Sequence, residues 1–127
     1  MTALILRETA PRYATGGDAR QFHESDLSVL WAEQRFAKRA LVTTTGDPLR
    51  VVYRGRPGLG PGPDFRDAIV SFPDRLAEGD IELHVRSGDF YRHGHGADPA
   101  YDRVVLHVVL FSEGGPETRL ACGRNVP

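Results

Sequence analysis

Six side chains in the second half of the chain have the types and spacing for one piece of chemistry. Asp64 follows Pro63 at the end of a glycine- and proline-rich stretch, and Glu82 and His84 stand two apart in GDIELHV, residues 79–85. His93 and His95 sit in RHGHG, and His107 interrupts the apolar run VVLHVVLF, residues 104–111. A hard divalent cation wants oxygen ligands, and Mg²⁺ is usually held by one or two carboxylates together with waters and substrate phosphates. Asp64 and Glu82, on two adjoining strands, can supply those carboxylates, assisted by the Leu83 carbonyl. His84 lies on the same strand face as Glu82, roughly 6.5 Å further on, where it can orient or deprotonate an attacking water. On this reading Asp64, Glu82 and His84 are catalytic, and Asp64 and Glu82 bind Mg²⁺ or Mn²⁺. Arg66, Arg86, His93 and His95 contact substrate, and Glu24 and His107 support the site. Imidazole suits transition ions better than Mg²⁺, so a site for Zn²⁺ or Mn²⁺ built from His84, His93, His95 and His107 stays open beside it, with Zn²⁺ ranked second.

Each of these residues has a plainer account. An exposed His-x-His flanked by glycine is more often solvated than ligating. Asp98, before Pro99, and Asp102, before the last apolar run, read as turn or cap residues. His107 is harder to dismiss, because a polar group inside a buried strand is costly unless it is hydrogen-bonded. Asp64 and Glu82 are its expected partners, which would make the polar face of GDIELHV less than fully exposed.

The elements that must position these groups follow from periodicity. Leu27, Leu30 and Trp31 fall at i, i+3 and i+4 and predict a helix from Glu24 to about Arg39, with Ser25 or Asp26 as N-cap. Leu49 to Arg54 reads as a short strand. GRPGLGPGPDF, residues 55–65, holds glycines and prolines but no Gly-Lys-Ser/Thr, so it reads as a stiff connection rather than a phosphate cradle. Residues 66–86 form a hairpin around a turn at PDRLAEGD, and 89–102 form a short helix or ordered loop. The run 104–111 reads as a central strand covered on both faces, and the tail adds one partial strand. Residues 1–21 read as an irregular lead-in, and 22–127 as one α+β domain with a mixed sheet and a packed N-terminal helix.

Composition narrows the function classes. The net charge is −1, so nucleic-acid binding would need a local patch, such as Arg50, Arg54, Arg56 and Arg66. Of 16 basic residues only Lys38 is a lysine. One cysteine, Cys122, excludes an intrachain disulfide and a multi-cysteine zinc knot. The N-terminal apolar stretch is too short for a signal peptide, and no apolar run has transmembrane length, so a cytoplasmic protein without a membrane partner is expected.

The pattern Pro63-Asp64, a hairpin, then Glu82-Leu83-His84 resembles the PD-(D/E)xK nuclease superfamily. That resemblance implies a restriction-endonuclease-like core in the order αβββ-αβ, Mg²⁺-dependent cleavage of phosphodiesters, and a supporting acidic role for Glu24 on the first helix. The chain departs from the motif at its last position, where His84 stands in place of lysine. An inactive module that kept the fold and binds nucleic acid or a protein partner is the alternative. HESDLSVLWAEQRF, GPDFRDAIV, GDIELHVRSGDFYRHGH and DPAYDRVVLHVV together resemble a bacterial domain-of-unknown-function family, family 2851. Its members are commonly longer, which implies a fragment or compact version, with homodimerisation or a missing C-terminal region to complete the sheet edge.

Overall fold

Strict two-residue alternation builds the centre of the molecule. In the computed structural model, which describes residues 3–6, 23–34, 41–43, 46–111, 118–123 and 125–126, strands β5 (Phe65–Phe72) and β6 (Arg75–Arg86) form a long antiparallel hairpin. The turn is shorter than expected. Only Pro73 and Asp74 form it, and Arg75 already belongs to β6. Before the hairpin come β1 (Ala3–Leu6), helix α1 (Glu24–Glu33), β2 (Leu41–Val42), β3 (Arg50–Tyr53) and β4 (Arg56–Pro57). After it come the four-residue helix α2 (Asp89–Arg92), two 3-10 turns at His95–Ala97 and Pro99–Tyr101, and β7 (Val104–Phe111). A small ribbon of β8 (Thr118–Arg119) and β9 (Asn125–Val126) follows.

The main sheet has the order β2-β1-β7-β6-β5-β3, with β4 also paired to β5. β6 and β7 are parallel, as are β7 and β1, while the remaining pairs are antiparallel, so this is an α+β protein with a mixed sheet. β7 is flanked on both sides, and Val104 to Leu110 are all buried, as its unbroken apolar run predicts. One expectation is corrected here. Ala3–Leu6 lies in the lead-in predicted to be irregular, yet it pairs with β7 through Ala3↔His107, Leu4↔Val108 and Ile5↔Val109. Four residues are too short to announce themselves by periodicity, and the pairing is entirely long-range.

Alternation along β6 divides the two faces. Ile81 and Leu83 point to the side where Leu27 and Trp31 of α1, Phe65, Leu106, Val108 and Leu110 form the larger core. Trp31 is fully buried, and its Nε1 donates to the Arg54 carbonyl oxygen at 3.0 Å. The cap of α1 differs from expectation: His23 is the N-cap, and its backbone N–H donates to the Asp26 carboxylate at 3.0 Å. Gln34 takes a left-handed conformation (φ 52°) after Glu33, so the helix ends earlier than predicted, and residues 35–39 of that prediction lie outside the described residues. No helix among the described residues is long and apolar enough to cross a membrane.

The opposite face of β6 carries Glu82 and His84, and β7 adds His107 in register with Glu82. That face is not wet. The chain crossing from β6 to β7 lays Phe90, Tyr101 and the 3-10 turns over it, and Phe90 and Tyr101 form a second core with Val104 and Leu120. Glu82, His84 and His107 are consequently buried.

Candidate metal centre

The site begins where the β5–β6 ladder stops. Phe65 pairs with Ile81, which places Asp64 opposite Glu82 at the open end of the hairpin. There the side chains take over the backbone pairing. The Asp64 N–H donates to Glu82 Oε1 at 3.2 Å, and the Leu83 N–H donates to Asp64 Oδ2 at 2.8 Å. Two carboxylates are thus held side by side by each other's strands. The Pro63 ring cannot donate and fixes its own φ, which helps the chain leave the ladder at this point.

Burial and the neighbouring Asp64 carboxyl both disfavour charge on Glu82, and its pKa is raised far above the ordinary 4.5, with burial the larger cause. On its other side Glu82 Oε2 lies 3.1 Å from His95 Nε2 and 4.0 Å from His84 Nε2. Burial also lowers the pKa of His84 to about 4, with His95 and His93 adding to the effect, and lowers His95 for the same reasons. Burial raises the pKa of Glu82 and lowers that of His95, and both shifts disfavour an ion pair in this contact.

His84 also meets His107, Nδ1 to Nε2 at 2.7 Å with the rings perpendicular. The expected partners of His107 were Asp64 and Glu82. A partner found is His84, two residues along β6 from the Glu82 that is in register with His107. His107 is fully buried and its pKa is driven well below the ordinary value by that burial. It lies outside the trio of imidazoles whose nitrogens could share an ion.

His93 and His95 come from the crossover. Their rings lie 5.1 Å and 5.4 Å from that of His84, and 5.6 Å from each other. His93 is exposed, as expected of RHGHG, but His95 is half-buried against Tyr101, whose ring stacks on it at 3.9 Å and 24°. One ring nitrogen from each of His84, His93 and His95 lies within 4.8 Å of the others, so these three could hold a metal ion. Asp64 and Glu82 lie beside this trio, Glu82 through its Oε2 contacts to His95 and His84.

Other expected residues are dispersed around this core. Glu24, at the start of α1, is exposed but within electrostatic reach. Its pKa is raised by partial desolvation first, then by Asp64 and Asp89, with His93 opposing. Arg66 lies against the preceding loop, with Nη2 3.4 Å from the Pro61 carbonyl oxygen. Arg86 is exposed at the end of β6, on the Glu82 side by alternation. The arginines expected to form a patch are largely committed elsewhere: Arg56 pairs with Asp67 at 2.9 Å, and Arg54 lies over the Phe65 ring. Tyr101 and Phe90 were not anticipated. Tyr101 stacks on His95, and its pKa is pushed up to about 12, chiefly by burial and then by Glu82 and Asp64. The signal available was two aromatics, Phe90 and Tyr101, inside an otherwise polar stretch.

A family model described as a protein of unknown function (DUF2851) matches residues 24–114. The chain belongs to this family. The DUF2851 match runs from the first residue of α1 past the end of β7, so every residue of the candidate centre falls inside it. No curated protein and no solved structure matches the chain.

Proposed function

We propose that this DUF2851 chain is a divalent-metal-dependent phosphodiester hydrolase of the nuclease type, acting on nucleic acid. The observation that carries this reading is the pairing of Asp64 and Glu82 at the end of the β5–β6 ladder, each carboxylate tied to the other strand's backbone. Two buried or half-buried carboxylates brought together without a cation partner raise each other's cost, and a bound cation relieves it. The element order supports the reading as well. With β1, β2 and β4 set aside, helix α1, antiparallel β3, β5 and β6, a short crossover helix and parallel β7 are compatible with an αβββ-αβ order. In that order Asp64 opens the second strand and Glu82-Leu83-His84 lies on the third.

A divalent ion bound there would polarise a phosphodiester and lower the pKa of a water. This chain's own residues divide the remaining work. Asp64 and Glu82 hold the cation, and Phe90 and Tyr101 keep bulk water from the back of the cleft. Arg86, exposed at the end of β6, meets the phosphate, while His93 and His95 line the cleft beside Glu82. His84 departs from the role of a motif lysine. It is neutral and buried, so it cannot offer a positive charge to the reacting phosphate, and its service is to orient the groups around it.

That departure also favours a second reading, an inactive nuclease-fold module that binds nucleic acid or a protein partner. One assay separates the two. The chain is incubated with Mg²⁺, Mn²⁺ or Zn²⁺ and single-stranded, duplex and branched DNA, and RNA. Cleavage that falls on the order of 100-fold or more in both Asp64→Asn and Glu82→Gln supports the hydrolase. Substrate binding without cleavage under any metal supports the inactive module instead.

A further inference from the structure

The two oxygens of Glu82 face different neighbourhoods. Oε1 accepts the Asp64 N–H, on the carboxylate side of the cleft, and Oε2 faces His95 Nε2 at 3.1 Å and His84 Nε2 at 4.0 Å. A carboxylate oxygen has two lone pairs, so accepting one backbone hydrogen does not stop Oε1 from ligating. We propose that the centre is binuclear, with Glu82 bridging an oxygen-rich position shared with Asp64 and a nitrogen-rich position formed by His84, His93 and His95. The inference rests on the hydrolase reading for the first position only; the second stands on its own geometry.

The nitrogen-rich position is close to a coordination sphere. Zinc–imidazole bonds of about 2.0–2.1 Å in a tetrahedron put ligand nitrogens roughly 3.3 Å apart. The three imidazole nitrogens already lie within 4.8 Å of one another. His84 and His95 are held by packing, whereas His93 is exposed and is the freest of the three to rotate toward the others. Glu82 Oε2 then supplies a fourth, oxygen ligand. Three imidazoles and one carboxylate suit Zn²⁺, Mn²⁺ or Co²⁺ and do not suit Mg²⁺.

His84 is prepared for this role. Its Nδ1 is engaged by His107 Nε2 at 2.7 Å, which leaves Nε2 as the nitrogen that faces Glu82. A ligating imidazole commonly donates its other N–H to a fixed acceptor, which sets its tautomer and ring orientation. His107, buried against His84, is that acceptor in the tautomer that leaves its Nε2 unprotonated. Tyr101, stacked on His95, plays the corresponding steric part for the second imidazole. Two ions sharing one carboxylate would sit about 3.5–4 Å apart, the separation used by two-metal phosphodiester hydrolases.

The test counts ions rather than turnover. Metal-stripped protein is titrated with Zn²⁺, Mn²⁺ and Co²⁺, with stoichiometry read by equilibrium dialysis and the Co²⁺ environment by its visible spectrum. The expected result is about two equivalents for the unaltered chain. The pair His93→Ala and His95→Ala, both on the surface crossover, should hold about one equivalent and lose the intense tetrahedral Co²⁺ band. Asp64→Asn should also hold about one equivalent but keep that band. His107→Gln should weaken the nitrogen-rich position roughly 10–100-fold while leaving the other unchanged. Unchanged stoichiometry in the His93/His95 variant, or loss of both equivalents in every variant, overturns the proposal. Cleavage with Mg²⁺ at a single equivalent would leave the hydrolase reading standing and sink the binuclear centre, whereas two equivalents without cleavage would do the reverse.

Discussion

His84 and His107 meet ring edge to ring, Nδ1 to Nε2 at 2.7 Å, in a place from which solvent is excluded. Two imidazoles that close cannot both be charged, and burial keeps both neutral. The consequences for pH dependence follow directly.

A histidine whose folded pKa lies below its unfolded value must take up a proton on unfolding. For His84 the folded value is about 4 against an ordinary 6.5, so its contribution is fully present above pH 6.5 and is lost as the pH falls toward 4. The full shift corresponds to on the order of 3 kcal/mol, an upper bound. His107 acts in the same direction. Glu82, with its raised pKa, opposes them in this range. Thermal melts of Glu82→Gln between pH 7 and pH 4 should therefore fall more steeply than those of the unaltered chain. A flat profile in that variant would mean the histidine pair is not held neutral.

Glu82 has the reverse sign. A carboxyl whose folded pKa is raised favours the native state most below its unfolded value of 4.5, and the contribution is lost as the pH rises above it. Glu82→Gln should raise the melting temperature of metal-free protein at pH 8 by a few degrees, within the roughly 2–8 °C that 1 kcal/mol gives in a domain of this size. The same variant should abolish the stabilisation that added Mn²⁺ or Zn²⁺ gives the unaltered chain. A lower melting temperature at pH 8 would show that the buried carboxylate is compensated in the apo protein.

Metal binding should release protons, because Glu82 must ionise to ligate. Affinity for Mn²⁺ is expected to rise about tenfold per pH unit between pH 6 and 8 for each proton released. Calorimetry in buffers of different ionisation enthalpy measures that number directly, and a buffer-independent heat would contradict it.

Tyr101 stacks on His95 and belongs to the second core with Phe90, Val104 and Leu120. Tyr101→Phe keeps the stack and should cost less than about 1 kcal/mol. Tyr101→Ala should cost several times more and weaken metal affinity by freeing His95. Equal metal affinity in the two variants would remove the stack from the account.

Trp31→Phe, on the other face, should lower stability by about 1–2 kcal/mol through the lost bond to the Arg54 carbonyl, without altering metal binding. It serves as a control that general loosening of the core does not reach the site.

The sequence alone determined the local parts. Alternation in GDIELHV and the apolar run of β7 are read from neighbours in the chain, so the hairpin, the buried strand and the packed first helix were legible. So was the inventory of carboxylates and imidazoles. Only the tertiary structure decided how those groups meet. The Phe65↔Ile81 register sets Asp64 opposite Glu82, and a slip of one residue would turn one of them to the other face. The parallel pairing with β7 brings His107 to His84, and the crossover buries a face that alternation describes only as polar. The pairing of Ala3–Leu6 with β7 is likewise a contact between distant residues. Partner choice and burial depend on separations through space, and no short-range pattern in the chain encodes them.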